Sequence, residues 1–351
     1  MEAFISSGTR DSSPKLERLH PIQTKLSDAG LGGATAPRSA TNATVAPNVP
    51  HSIRMRAMLK AHPELRGLLG TYRPTMGWIA LLFFLQIGLA WASGGKAWWE
   101  ILILAYAVGS FLSLGLWTLI HECTHDLVLS SSGGNRWLGI LAGLPLVIPA
   151  AAAFRRFHLM HHRYLGHPVL DGDVPSAWEV RLVQNCPLRK ALWLSCGAIF
   201  QALRPLRMPG LKPTDSWTLV NAGSQTIFNG MLVILIGCDA LAYLLLSNIF
   251  ALGLHPLGAR WIQEHFVLRE GQETYSYYGP LNRLLFNAGY HTEHHDLMRV
   301  PWIRLPEVRI LAPEFYRGRQ AYRSWTVLLG AFVFKRELTL DLRILARGPR
   351  P

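Results

Sequence analysis

Eight of the fourteen histidines fall into three tight groups. His121 and His125 stand four apart in His-Glu-Cys-Thr-His. His158, His161 and His162 form a His-x-x-His-His group, and His291, His294 and His295 repeat it. Residues three and four apart share one face of a helix, so each group aims several imidazoles at one place. Neutral imidazole suits zinc, copper, iron and nickel. Eight ligands exceed the needs of one tetrahedral ion and suit two ions with open positions. Solvated interfacial histidines would account for one group, but three such groups have no packing rationale. Glu122, Asp171, Asp173, Glu293 and Asp296 lie near the groups. They are natural acceptors for the free imidazole N–H groups, with turn and cap chemistry the plain alternative for Asp171 and Asp173.

The elements that must position these histidines are apolar. Half of the 351 residues are hydrophobic, an ordinary share for a small polytopic membrane protein. Residues 1–50 are rich in Ser, Thr, Ala, Gly and Pro, contain no apolar run of the signal-peptide kind, and read as a disordered tail. Residues 51–73 carry Arg54, Arg56, Lys60, Arg66 and Arg73 among Leu and Met, a basic amphipathic lead-in to a membrane domain covering 51–351. Four spans are expected, at about 77–92, 101–120, 217–237 and 240–257, paired as two hairpins with turns at Gly94–Gly95 and Gly237-Cys238-Asp239. Asn221, Gln225 and Asn229 weaken the third. The apolar stretch Trp137–Phe154 is interrupted by Pro145 and Pro149 and reads as interfacial or re-entrant, and 191–203 as interfacial.

Charge orients the spans. Segment 121–216 carries ten lysines and arginines, whereas the first hairpin loop has only Lys96 and the second turn none. The positive-inside tendency then puts both termini and all three histidine groups in the cytoplasm. The expected fold is an all-α integral membrane protein with four transmembrane helices in two hairpins. The net charge of +13 reflects this bias and lipid contact rather than nucleic-acid binding, because the basic residues flank apolar spans. The four cysteines show no paired spacing, which argues against disulfides and Cys-x-x-Cys metal sites.

A site rich in neutral nitrogen donors, beside a bilayer, suits two iron ions that activate O2 next to a lipid chain. A rival from another class is an intramembrane zinc protease. His121-Glu122-x-x-His125 matches the H-E-x-x-H pattern, with Glu122 as general base. That site needs only one further ligand and leaves six clustered histidines idle.

The three boxes resemble those of the membrane fatty acid desaturase/hydroxylase superfamily, and the chain is most similar within it to the sphingolipid delta-4 (dihydroceramide) desaturases. Beyond the boxes, the resemblance rests on Asn135-Arg136-Trp137-Leu138-Gly139, His161-His162-Arg163-Tyr164-Leu165-Gly166 and Gly253-Leu254-His255-Pro256. It rests further on Glu273-Thr274-Tyr275-Ser276-Tyr277-Tyr278-Gly279-Pro280-Leu281-Asn282 and Phe286-Asn287-Ala288-Gly289-Tyr290-His291. It covers about residues 50–330 and implies four spans under a cytosolic helical cap, 121–216 and 258–351, that holds a histidine-rich di-iron site. It also implies a ninth ligand, His265 in Ile262-Gln263-Glu264-His265, with His255 as runner-up. His20, His51, His62 and His167 belong to no motif and are expected not to be ligands.

The resemblance implies an oxidoreductase that introduces the delta-4 trans double bond into a dihydroceramide-type lipid. A fatty acyl-lipid desaturase and a C-4 hydroxylase on the same scaffold are the alternatives. No His-Pro-Gly-Gly motif is present, so electrons are expected from a separate cytochrome b5 or ferredoxin. Arg155, Arg156, Arg163, Arg260 and Arg269 offer it a basic face. The expected membrane is the bacterial inner membrane or the endoplasmic reticulum. The chain departs from the family pattern at Arg260, where a histidine is usual, at Asp126, where an asparagine is usual, and in Leu297-Met298-Arg299-Val300-Pro301 after the third box.

Overall fold

Apolar runs of 18 or more residues fold as helices because only a helix satisfies every backbone group within one segment. The computed structural model describes residues 50–204, 208, 214–269 and 271–343, so the expected tail up to residue 49 lies outside the described residues. A short helix α1 (His51–Ala61) precedes α2 (Thr75–Ala92) and α3 (Trp98–Thr124). After α3 come α4 (Ser132–Gly143), α5 (Ala151–Arg163), α6 (Ala177–Val183), α7 (Pro187–Ser195) and α8 (Gly197–Leu203). Then follow α9 (Ser216–Leu235), α10 (Cys238–Leu252), α11 (Arg260–His265), α12 (His291–Asp296), α13 (Leu305–Leu311) and α14 (Trp325–Phe334). The described part is helical except for loops and one two-residue parallel bridge, β1 (Ser276–Tyr277) with β2 (Ala321–Tyr322).

Four helices are long and apolar enough to cross a membrane: α2, α3, α9, and α10 together with the segment running on to His265. The second is longer than the expected 101–120. It continues through the first histidine box, with a π turn at Ala105–Gly109, and ends where Asp126 takes a left-handed φ of 56°. The fourth breaks early, at Gly253, and a 3-10 turn Pro256–Ala259 leads into α11.

Polar side chains join the apolar helices. Gln86 of α2 is fully buried and donates to Gly109 O (3.1 Å) in the π turn and to Ser113 Oγ (2.8 Å), while Tyr243 OH of α10 donates to Gln86 Oε1 (2.8 Å). A Cβ on Gly109 would collide with Ser247 Oγ, so only glycine lets α3 and α10 approach this closely. Both hairpin turns lie at one end, where the Gly95 N–H donates to Asp239 Oδ2 at 2.9 Å.

The proline-bearing stretch 137–154 becomes α4 and α5, bent 115° at a break. A break inside an apolar layer leaves carbonyls and amides without helical partners. The polar residues that weaken the third span serve them. Gln225 Nε2 donates to Leu144 O (2.8 Å), Asn229 Nδ2 to Val147 O (3.0 Å), and Asn221 Oδ1 accepts from Ala152 N (3.1 Å). Asn248 of α10 adds a bond to Leu146 O (3.1 Å).

Candidate metal centre

His121 and His125 sit at the C-terminal end of α3. Arg155 of α5 caps that end, donating to Cys123 O and Thr124 O (both 2.8 Å) and forming a two-point pair with Asp126 (2.8 and 3.0 Å). A cation at a helix C-terminus is favourable. Here it also fixes the first box against the second, because His158 lies one turn further along α5.

The nine histidines expected as ligands come together in two neighbouring groups. His121, His125, His158, His162 and His294 form one, with one ring nitrogen from each lying within 4.8 Å of all the others. His161, His265 and His295 form the second by the same measure. His291 joins the latter, its Nε2 2.8 Å from that of His265. Each His-x-x-His-His box therefore divides. His161 and His162 face different groups, as do His294 and His295, because successive residues on a helix point roughly 100° apart. The boxes are bridges between two sites rather than two separate sites.

The distances suit metal ligation. Nε2 atoms face one another across 3.0 Å (His125–His158, His158–His162), 3.1 Å (His162–His294) and 2.9 Å (His161–His265). A first-row ion with imidazole nitrogens at about 2.0–2.1 Å spaces adjacent octahedral ligands roughly 3 Å apart. His295 Nε2 and His294 Nδ1 are buried and have no hydrogen-bond partner among the described residues. Such atoms are costly unless something else satisfies them. Burial pushes His158, His162, His291, His294 and His295 well below the ordinary histidine range, and His125 down to about 3. The rings are neutral at ordinary pH, as ligation requires.

The carboxylates have different tasks. Asp171 is fully buried, accepts a hydrogen bond from His161 Nδ1 at 3.0 Å, and is held by the amides of Gly166 (2.8 Å) and Asp173 (2.9 Å). Burial disfavours charge on His161, but the Asp171 and Asp173 carboxylates outweigh it and raise the ring above its usual range. Asp173 stands further off, at 3.5 Å. Glu122 lies 4.0 Å from His121 Nδ1 and accepts the Trp302 amide at 3.0 Å.

Two expected acceptors are corrected. Glu293 takes the hydroxyls of Ser276 and Tyr278 (both 2.6 Å) rather than an imidazole, so the Tyr-Ser-Tyr-Tyr run buttresses α12 from beneath. Asp296 is bound to Arg54 (2.8 and 2.7 Å) and His51 (2.6 Å) of α1. Arg54, expected on the basic surface of the lead-in, is 1% exposed.

His265 Nδ1 donates to Glu273 O at 3.3 Å, which aims Nε2 into the second group. His255 faces Tyr106 and Phe111, its ring centroid 4.3 and 5.6 Å from theirs, and accepts the Leu257 amide, away from both groups. His62 pairs with Glu64 and Glu314, and His167 Nδ1 accepts the amides of Val169 and Leu170. His20 lies outside the described residues. Sequence reasoning missed Arg155, Arg54 and His51. Arg155 carried a local signal, since it precedes the second box by one turn, whereas Arg54 and His51 meet Asp296 from more than 240 residues away.

A cavity of about 60 Å³ opens onto both groups. It is lined by His121, His158, His161, His265, His291 and His294 together with apolar Phe154, Phe286 and Trp302. The site so described holds five imidazoles in one group and four in the other, and Glu122, Asp173 and Glu264 also line the cavity. A single H-E-x-x-H zinc site, which needs three ligands, would leave six of the nine imidazoles idle.

The fatty acid desaturase family model matches residues 97–326. The chain is 38% identical to the "Sphingolipid delta(4)-desaturase DES1-like" of Oryza sativa subsp. japonica over 86% of this chain and 91% of that protein. It is 38% identical to the rat "Sphingolipid delta(4)-desaturase/C4-monooxygenase DES2" over 82% of this chain and 90% of the relative. The human "Sphingolipid delta(4)-desaturase DES1" is 37% identical over 81% and 88%. With the histidine boxes assembled in this way and likeness along most of its length, the chain belongs to the fatty acid desaturase family, among the sphingolipid delta(4)-desaturases.

Proposed function

We propose that this oxidoreductase removes two hydrogens from carbons 4 and 5 of a dihydroceramide-type lipid, using O2 and a di-iron centre. The observation that carries the reading is the convergence of nine imidazoles into two adjoining groups. His121, His125, His158, His162 and His294 would hold one iron, and His161, His265, His291 and His295 the other. Bound there, iron would supply the O2 activation that saturated C–H bonds demand. The chain's own residues do the rest. Asp171 keeps His161 in the tautomer with Nε2 free. Arg155 locks the first box to the second. Phe154, Phe286 and Trp302 give the cavity apolar walls that exclude water from a reactive centre.

With four spans, this centre would lie at one face of the bilayer, where a lipid chain could enter without leaving the membrane. The positive-inside tendency makes that face cytosolic, with electrons delivered by a separate acidic cytochrome b5 or ferredoxin. C-4 hydroxylation on the same scaffold is the second reading, favoured by the name of the rat relative, which is called both desaturase and C4-monooxygenase.

Two measurements test this. Lipid mass spectrometry of a sphingolipid-producing host without its own desaturase should show dihydroceramide losing two hydrogens when this chain is expressed. Gain of one oxygen instead means hydroxylase, and no change in sphingolipid means another substrate. Protein purified anaerobically with iron should hold close to two irons, and His125→Ala, His161→Ala and His294→Ala should each lose metal and turnover. Full activity in any of the three rejects the centre as drawn.

A further inference from the structure

The cavity beside the histidines is not uniformly apolar. Arg260 and Glu264 line it, joined by a bond from Arg260 Nη1 to Glu264 Oε1 at 2.8 Å. Both sit on α11, one turn apart, and Glu264 Oε1 is also 3.6 Å from His291 Nδ1. The pair thus stands at the second histidine group. Phe154, in contrast, stacks on His158 with ring centroids 5.0 Å apart, and Trp302 bonds Glu122 by the first box. Arg260 spends one nitrogen on Glu264. Its Nε and Nη2 have no hydrogen-bond partner among the described residues, although the side chain is only 20% exposed.

A lining ion pair is out of place if the cavity takes only hydrocarbon. Reaction deep within an acyl tail would put methylene groups alone near the reacting carbons. Reaction at carbon 4 of a sphingoid base is different. One hydroxyl sits on the neighbouring carbon, the amide on the next, and the primary hydroxyl one further. Whatever holds carbon 4 at the histidines must receive these polar groups within the same cavity, and burying a hydroxyl without a partner is costly. Specificity for a hydroxyl is strong where a site is built to bond it, because the analogue without it leaves protein polar groups unpaired.

Resting on the delta-4 reading above, we propose that Arg260 and Glu264 form the subsite for a head-end hydroxyl of the lipid. Arg260 donates from its spare nitrogens to the hydroxyl oxygen, and Glu264 accepts a hydrogen bond from the hydroxyl O–H. Guanidinium has donors only and carboxylate acceptors only, so together they satisfy a hydroxyl on both sides. This anchors the sphingoid base from its polar end and sets carbon 4, rather than a carbon further along, against the histidines.

The test compares substrates in full-length enzyme. kcat/KM is measured for dihydroceramide and for analogues lacking the carbon-1 or the carbon-3 hydroxyl, in wild type and in Arg260→Gln. In the wild type the parent lipid should be preferred. In Arg260→Gln the preference over at least one analogue should fall by about tenfold, the worth of a charge-assisted hydrogen bond. A role confined to folding or to positioning His291 lowers all substrates together and leaves the ratios in place. A fall of less than threefold in both ratios overturns the subsite. Arg260→Met gives the same readout if the glutamine variant does not accumulate. A wild-type chain that leaves dihydroceramide unconverted overturns the delta-4 reading and the subsite with it, whereas an active wild type with persistent ratios overturns the subsite alone.

Discussion

At the scale of single residues, the centre depends on side chains that never reach its middle. Arg155, Asp171 and the Arg54–Asp296 pair each fix one backbone segment that bears ligands. His265 does reach it, although it is a lone histidine with no box of its own. Its Nε2 stands 2.9 Å from that of His161 and 2.8 Å from that of His291. His265→Ala should therefore insert and fold yet lose turnover and part of its iron, while His255→Ala keeps most of both, as measured by metal analysis and product formation. The reverse outcome would move the ninth ligand to His255. Arg54 makes a different prediction. It is buried on a buried carboxylate, and removing one partner of such a pair costs roughly 3–5 kcal/mol. Arg54→Leu should lower the thermal unfolding midpoint in detergent markedly, and Arg54→Leu with Asp296→Asn should recover much of the loss. A double variant no more stable than the single would show that the pair is not what holds α1 to α12.

At the scale of elements, the break between α4 and α5 explains the polar face of α9. Hydropathy treats Asn221, Gln225 and Asn229 as defects in a span. In the fold they are partners for the backbone of 144–152, which no helix satisfies. The two views predict opposite results for Gln225→Leu combined with Asn229→Leu. A purely apolar span should insert better and be at least as stable. Loss of the bonds to Leu144 O and Val147 O should instead destabilise the protein by roughly 0.6–1.7 kcal/mol per bond. The unfolding midpoint in detergent decides, and an unchanged or raised value would sink the second view. The proline pair announced this break in the sequence. The 115° angle depended on what α9 and α10 offered around it.

For the whole molecule, the contact between Gly95 and Asp239 places both hairpin turns at the end away from the histidines. With four crossings, the ends of α3 and α10 then share one side. Cysteine labelling in intact cells or vesicles should find Lys96→Cys reachable from outside, and Arg181→Cys and Arg317→Cys only after permeabilisation. Labelling of Arg181→Cys and Lys96→Cys from the same side would reject the arrangement. Much of this was written locally in the chain. Helical spacing of three and four groups eight of the histidines, and long apolar runs mark the candidate spans, because both are properties of a few consecutive turns. The motif around Glu264-His265 pointed to a ninth candidate ligand only through resemblance, since a single histidine carries no periodicity. The sorting of ligands was not legible. His161 and His162 are adjacent in sequence, and only the packing of α5 against α3, α11 and α12 decides that one faces each group. Nor did any local pattern connect Arg54 to Asp296, because a pair more than 240 residues apart exists only once the chain has folded. Sequence by itself determined the chemistry available to this protein, since donor types and helical phase are local. The tertiary structure alone decided how nine imidazoles divide between two sites and what holds them there, since those are contacts among segments far apart in the chain.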